Sequence, residues 1–296
     1  MRVVSVGECM VELSGAGPGL WRQAFAGDTF NTAWYLRALL PQTARVDYLS
    51  CVGQDQISRK MLDFIGEAGI GTGCITRHPT RAPGLYMIDL KDGERSFTYW
   101  RDSSAARCLA DDEDHLARSF LGADLIYFSG ITLAILSPDR RRALLAALAA
   151  ADAKVAFDSN MRLRLWKDAG EMREWIMRGA AVADIALPSF DEETATFGDS
   201  DPQATARRYR EAGVTEVLVK NGGGPMLGID GDAVQDFPPG ARLEPVDTTG
   251  AGDSFNGGYL AARLQGADMA EAVARGHATA ARVIMHPGAL VPHEML

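Results

Sequence analysis

The chain has 296 residues, 47% of them hydrophobic and 23% charged, which suits one large α/β domain or a core with an appendage and excludes disordered, collagenous or fibrous protein. Thirty Lys and Arg against 39 Asp and Glu give a net charge of −9, the wrong sign for a surface that neutralises nucleic-acid phosphates or an anionic membrane. The longest small apolar run, residues 143–151, falls short of the ~20 residues a bilayer span needs. No nucleic acid or membrane is therefore expected as a partner. The opening stretch Met1–Met10 reads as a buried strand rather than a signal peptide, so the expected location is cytoplasmic. Cys9, Cys51, Cys74 and Cys108 form no CxxC pair and the histidines fall in no metal-ligand spacing, which argues against a disulfide framework and structural zinc.

In chain order, continuous apolar runs predict buried strands at Val3–Val6, Val46–Val52, Leu125–Phe128, Val155–Phe157, Asp184–Leu187 and Val217–Val219. Helical periods predict helices at Thr29–Leu40, Ser58–Ala68, Pro138–Ala151, Met172–Ala183, Pro202–Ala212, Ala251–Arg263 and Met269–Met285. Strand and helix alternating this regularly imply a mainly parallel sheet covered on both faces, with ligands at the carboxyl ends of its strands. The stretch Pro83–Arg101 breaks the alternation: two β-rich runs flank Lys91-Asp92-Gly93-Glu94, and Asp-Gly is a strong hairpin signal. With the Gly/Pro-rich Ser14–Leu20 it is expected to form a small β-structured lid. No internal repeat or low-complexity block occurs.

The sharpest motif is Asp247-Thr-Thr-Gly250-Ala251-Gly252-Asp253, followed by Ser-Phe-Asn-Gly-Gly-Tyr. Its glycines permit a tight turn, and the apolar residues beyond continue as a helix. Bare N–H groups at a helix start form an anion site, so the amides of Gly250, Ala251 and Gly252 are expected to hold a phosphate whose charge grows during transfer. Asp253 falls in the first turn, where the helix dipole favours the ionised carboxylate and makes it a ready but weak proton acceptor.

This segment resembles the C-terminal signature of the ribokinase-like, phosphofructokinase-B-type carbohydrate kinases. Ala26-Gly27-Asp28-Thr-Phe-Asn31 resembles the N-terminal glycine motif of that family, with Ala26 in place of the first of two glycines. The resemblance implies a single ribokinase-like domain over residues 1–296: a three-layer α/β/α fold with a mainly parallel central sheet and a small β lid formed by about residues 14–28 and 83–103. It implies ATP and Mg²⁺ as cofactors, Asp253 as catalytic base, the Gly250–Gly252 amides as anion hole, and Gly27, Asp28 and Asn31 as substrate contacts. A monovalent cation such as K⁺ near Asp247–Thr249 is an option the family carries, and a homo-oligomer is another that the sequence leaves open.

Gly7–Leu13, Pro83–Tyr86 with Gly93–Arg101, and Asp158-Ser-Asn160-Met-Arg162-Leu-Arg-Leu-Trp166 are similar to one branch of that family, whose substrate is a 2-keto-3-deoxy sugar acid. Such a substrate carries a carboxylate that neutral sugars lack, and guanidinium forks match carboxylates best. Arg101 and Arg162 are the expected forks, with Arg164 the nearby competitor, and Tyr86 and Tyr99 are expected to supply hydroxyls and a flat apolar wall. For the nucleotide, Ser189-Phe-Asp-Glu192 resembles the family's NxxE element with Ser189 replacing asparagine. Glu192 is read either as acting through water on magnesium or as part of a helix-start acidic cluster. Lys220-Asn-Gly222-Gly-Gly resembles the nucleotide loop, with Lys220 and Gly222 the expected contacts, or is a glycine-rich turn. Neither GxxxxGK[ST] nor GxGxxG occurs, which excludes a P-loop kinase and a Rossmann dehydrogenase. The competing readings are another sugar kinase, which would not need both arginines, and a non-catalytic sugar-binding protein, which would not need Asp253.

Overall fold

Alternate apolar side chains along the central strands face opposite ways, and each face is roofed by helices. The computed structural model describes residues 1–17, 19–91, 94–240 and 243–296. In chain order its elements are β1 (Arg2–Val6), β2 (Met10–Gly17), β3 (Leu20–Ala26), α1 (Asp28–Leu39), β4 (Arg45–Val52), α2 (Gln56–Glu67), β5 (Ile75–Arg77), β6 (Leu85–Lys91) and β7 (Glu94–Trp100). There follow α3 (Glu113–Phe120), β8 (Leu125–Ser129), α4 (Gly130–Ile135), α5 (Pro138–Ala149), β9 (Lys154–Asp158), α6 (Ala169–Ala180), β10 (Ile185–Ala186), α7 (Phe190–Phe197) and α8 (Pro202–Glu211). The chain continues through β11 (Glu216–Val219), β12 (Met226–Asp230), β13 (Ala233–Phe237), α9 (Ala251–Leu264) and α10 (Met269–Val283).

The main sheet has the order β13-β12-β11-β10-β9-β8-β1-β4-β5, parallel throughout except for the antiparallel β11-β12-β13 end. Val4, Ile126, Phe128, Val155 and Phe157 pack on one side with α3 to α6 and α8. Their neighbours Val3, Leu125, Tyr127 and Ala156 pack on the other with α1, α2, α9 and α10. This is the expected three-layer α/β/α arrangement, and it explains why these strands read as unbroken apolar runs. Among the described residues no helix is long and apolar enough to cross a membrane.

A second sheet, β3-β2-β6-β7, stands apart from the first. Its β6 and β7 are the two runs expected around Asp92-Gly93, and they pair with Tyr86 opposite Tyr99. Asp92 and Gly93 themselves, and Pro18 in the Gly/Pro-rich stretch, lie outside the described residues. β2 and β3 extend well beyond that stretch and pair antiparallel from Met10 with Ala26, so the sheet begins four residues earlier than the expected boundary at 14.

Three short helices, α3, α4 and α7, escape the periodicity analysis. α4 spans six residues held by a capping box between Ser129 and Thr132, and five of those six are buried, so it presents no polar face to mark it. Conversely the strand expected over Asp184–Leu187 shortens to Ile185–Ala186. At the centre of the second layer, a Cβ on Gly257 would lie 2.5 Å from the Tyr35 Cβ, and one on Gly258 would lie 2.9 Å from the Arg275 carbonyl. The paired glycines therefore let α9 sit directly against both α1 and α10, which fixes where the start of α9 points.

Candidate active site

The parallel strands end at a cavity of about 630 Å³ whose wall combines the tips of β9 and β11, the start of α9 and the inner face of the second sheet. It lies where an open α/β sheet places its ligands. Of the residues expected at a site, Gly27, Asp28, Asn31, Tyr86, Tyr99, Arg101, Arg162, Ser189, Glu192, Lys220, Gly250, Ala251, Gly252 and Asp253 all line it. Gly222 does not: it occupies the β11–β12 turn at φ +51°, away from the lining.

The turn into α9 is as the glycines require. Gly250 is its N-cap in the left-handed region (φ 74°, ψ 6°), with no side chain capping the helix. A Cβ there would crowd the Ala289 carbonyl at 2.9 Å. The expected set of amides needs one correction, because the Ala251 N–H donates to the Thr248 carbonyl at 3.2 Å. Gly250 and Gly252 remain as the expected amides not tied into the turn, and Gly252 opens onto free space. The segment after α10 braces this turn: Tyr35 donates from its hydroxyl to the Ala289 carbonyl at 2.6 Å, Trp34 donates to the Val291 carbonyl at 2.8 Å, and Gly288 N–H donates to Asp247 at 2.6 Å.

Asp253 accepts from the Asn31 amide at 2.7 Å. Its pKa is pushed up to about 8, chiefly by burial and next by the Asp28 charge, against the lowering effect of the Asn31 bond. The weak, always ionised carboxylate expected from the helix dipole is thus corrected: desolvation outweighs the dipole and makes Asp253 a stronger base poised near neutral pH. Asp28 is also shifted upward by burial, and its Oδ2 accepts from Ser129 and, at 2.8 Å, from the Asn160 amide. Asn160, at φ 29°, is the non-glycine residue with positive φ among those described, a strained position at the tip of β9.

The arginines enter the cavity already partnered. Arg101, 7% exposed, pairs through Nη2 with Glu8, 2% exposed. Arg162 pairs through Nη1 with Glu192, whose other oxygen accepts the Met161 N–H at 2.9 Å. Burial lowers the Arg162 pKa, but the Glu192 charge and hydrogen bond, together with the Asp28 and Asp158 charges, raise it above the ordinary value. Arg164, expected as the competitor, also reaches the lining, stacked 3.9 Å over the Tyr99 ring. The Tyr86 hydroxyl donates to Glu12, so of the two contributions expected from Tyr86 the structure provides the wall, through a ring stacked 5.7 Å from that of Tyr99, rather than a free hydroxyl.

On the expected nucleotide side, Ser189 occupies the N-cap position of α7 without a side-chain capping bond, and its backbone bridges to Lys220. The Lys220 side chain is directed inward: its ammonium is hydrogen-bonded to Asp158 at 3.2 Å and to Asn256 at 3.0 Å. Glu8, Asp158 and Asn160 are lining residues that motif reading passed over. All three lie inside the segments matched to the family, but their partners are far away in sequence. Among the described residues no group of three or more His, Cys, Asp or Glu is placed to hold a metal ion.

A buried carboxylate beside an open helix turn, in a cleft at the strand ends, suits a phosphotransferase acting on a hydroxyl. The pfkB family carbohydrate kinase model matches residues 1–294, and the chain belongs to that family. A 2-dehydro-3-deoxygluconokinase of Escherichia coli K12 is 39% identical over 305 residues, covering 100% of this chain and 98% of the relative. Among solved structures, a PfkB protein from Polaromonas sp. JS666 matches at a TM-score of 0.84 with 28% identity, covering 97% of each chain. Aminoimidazole riboside kinase from Salmonella enterica, in complex with aminoimidazole riboside and an ATP analogue, matches at 0.82 with 25% identity, covering 98% of this chain and 95% of the other.

Proposed function

We propose that the chain transfers the γ-phosphoryl group of ATP to the C6 hydroxyl of 2-keto-3-deoxygluconate, the sugar acid also called 2-dehydro-3-deoxygluconate. The observation that carries this reading is the presence of Arg101 and Arg162 in the same cavity as Asp253 and the Gly250 turn. A neutral sugar needs no guanidinium, whereas a carboxylate rewards two. The full-length likeness to the E. coli enzyme supports the same substrate.

Asp253 takes the C6 hydroxyl proton as the hydroxyl oxygen bonds to the γ-phosphorus and the bond from that phosphorus to the β–γ bridging oxygen breaks, releasing ADP. With a pKa of about 8 the carboxylate is matched to proton transfer near neutral pH. The Gly250 and Gly252 amides face the transferring phosphoryl, and Asn31 holds Asp253 toward the hydroxyl. Gly27 and Asp28 meet substrate hydroxyls, Tyr86 and Tyr99 form the wall, and Arg101 and Arg162 fix the carboxylate. Ser189, Glu192 and the Gly222 turn serve the nucleotide. Holding both substrates in line is most of what this reaction asks of a protein. The second sheet acts as the lid that completes the enclosure within one domain.

Magnesium would supply the positive charge that offsets the nucleotide phosphates during transfer. The donor set suits an ion held mainly by phosphates and water: Glu192 keeps lone pairs beyond its bonds to Met161 and Arg162 and would hold such an ion through water. A monovalent cation beside Asp247–Thr249 belongs to the same reading, and turnover in potassium-free buffer tests it. A coupled ADP-release assay comparing 2-keto-3-deoxygluconate with fructose, ribose and gluconate tests the substrate. At least a tenfold preference in kcat/KM, equivalent to ~1.4 kcal/mol, is expected for the keto acid. Equal or better activity on a neutral sugar would remove the two-arginine clamp and leave Asp253 in place.

A further inference from the structure

The charged groups lining the cavity do not balance evenly. Arg101 is matched by Glu8 and Arg162 by Glu192, while Arg164 is exposed and lies on Tyr99. Asp28, Asp158 and Asp253 share the cavity with Lys220, whose ammonium is bonded to Asp158, while the Arg101 charge also reaches Asp28 and the Arg162 charge reaches Asp28 and Asp158. The ammonium is fixed from two directions. Asp158 and Asn256 both accept from it, and the Asn256 amide in turn donates to Asp158 at 2.7 Å and to the Tyr127 hydroxyl at 3.1 Å. Lys220, Asp158 and Asn256 are 6%, 4% and 0% exposed, so the cluster is rigid. It is tied to the proposed base in two ways. Asn256 lies one turn beyond Asp253 on α9, and the Thr32 hydroxyl lies within hydrogen-bond distance of the Tyr127 hydroxyl (3.3 Å) and of the Asp253 carbonyl oxygen (3.2 Å).

We propose that Lys220 is a positioning residue for phosphoryl transfer: its ammonium, locked by Asp158 and Asn256, is the fixed counter-charge that keeps the three-aspartate end of the cavity able to hold Asp253 as an ionised base. This rests on Asp253 being the base, and it assigns Lys220 to that carboxylate instead of to the nucleotide phosphates. The groups facing Asp253 are Asp28, Asn31 and Tyr35 from α1, Tyr127 from β8, Asp158 from β9 and Lys220 just after β11. Arg101, Glu8, Arg162 and Glu192 stand further round the cavity as matched pairs, and Asp247 is held by the Thr249 and Gly288 amides. Burial keeps both tyrosines protonated, so the charges bearing on Asp253 itself are those of Asp28, Asp158 and Lys220. Asp28 and Asp158 raise the Asp253 pKa and Lys220 lowers it.

The test is the pH profile of kcat/KM, taken with whichever sugar the wild-type protein phosphorylates, for Lys220→Met, Asp158→Asn and the double variant. Lys220→Met should move the acidic limb upward by about one pH unit, so that a roughly tenfold loss at pH 7 shrinks to about twofold by about pH 9. Asp158→Asn should move the limb downward, and the double variant, which removes both members of the buried pair, should return it toward wild type. KM for ATP should stay within about threefold in all three, since no phosphate contact is lost. Opposite displacements are something that simple loosening of the fold cannot produce. If Lys220→Met does not fold, the downward limb of Asp158→Asn and the near-normal limb of the double variant carry the test. A tenfold rise in KM for ATP with an unmoved limb would overturn the proposal in favour of a phosphate contact, and limbs that move together or not at all would overturn it in favour of packing alone. If instead Asp253→Asn retains turnover, the base assignment fails first, which separates the two failures.

Discussion

Replacing Asp253 by Asn removes a proton acceptor and almost nothing else. The two side chains have the same shape, and the amide oxygen can still accept the 2.7 Å bond from Asn31, so the start of α9 and the Gly250 turn should stay where they are. What is lost is general-base assistance, which contributes about 10²- to 10⁴-fold, or about 2.7–5.4 kcal/mol of barrier. The upper half of that range is expected here, because a carboxylate whose pKa is pushed up to about 8 is the stronger acceptor. A coupled ADP-release assay at pH 8, with both substrates saturating, measures the loss. Calorimetric titration with the sugar acid should give a Kd within about threefold of wild type, since the hydroxyl contacts survive. Turnover within about tenfold of wild type would refute Asp253 as the base. Equal losses in turnover and binding would show that the substitution had disturbed the site's shape.

The same variant has a stability signature. An unfolded aspartate titrates near ~3.9 and the folded one near about 8, so the folded wild type is favoured most below the lower value and loses that advantage as pH rises through the upper one. The Tm advantage of Asp253→Asn over wild type should therefore grow between pH 5 and pH 8, as read by scanning calorimetry; a constant difference would exclude burial of the charge as the cause. Arg162→Ala should raise KM for the sugar acid by about ten- to hundredfold, the worth of one charged hydrogen bond, with a much smaller change for ATP; comparable changes in both would count against the carboxylate role. Tyr86→Phe should leave KM and kcat within about threefold while lowering stability by about 1–3 kcal/mol in urea titration, because the hydroxyl serves Glu12 and not the cavity. A large kcat effect would show that the hydroxyl turns toward substrate.

What the sequence disclosed best was chemistry carried by short, contiguous stretches. Gly250, Gly252 and Asp253 sit within four residues, and turn geometry alone brings them together; Tyr86 and Tyr99 are placed by a hairpin whose register follows from its alternation. The parallel strands were legible because both of their faces are buried. Partners supplied by the sheet order were not legible. Glu8 meets Arg101 across 93 positions and Asn256 meets Asp158 across 98, and nothing local in either segment announces the other. The same limit hid the partner of Lys220: its ammonium meets Asp158 from the second strand along, across the short β10, and nothing local to the loop announces it. The protonation behaviour of Asp253 was likewise out of reach, because the dipole can be read from one helix whereas desolvation depends on everything packed around it.

The bracing of the Gly250 turn by the segment after α10 sets the order in which the protein should fail. Ala289 touches the cavity, but the segment's larger contribution is to hold the turn through Tyr35, Trp34 and Asp247. Tyr35, Val283 and Val291 form a small cluster of their own, with Trp34 packed against it and against the second core, so fraying or proteolytic trimming here would leave most of the folded body standing while freeing the loop that presents the Gly250 and Gly252 amides. Damage at this extremity would accordingly appear as a well-folded protein with a failing catalyst, and activity would be a more sensitive gauge of its integrity than any melting curve.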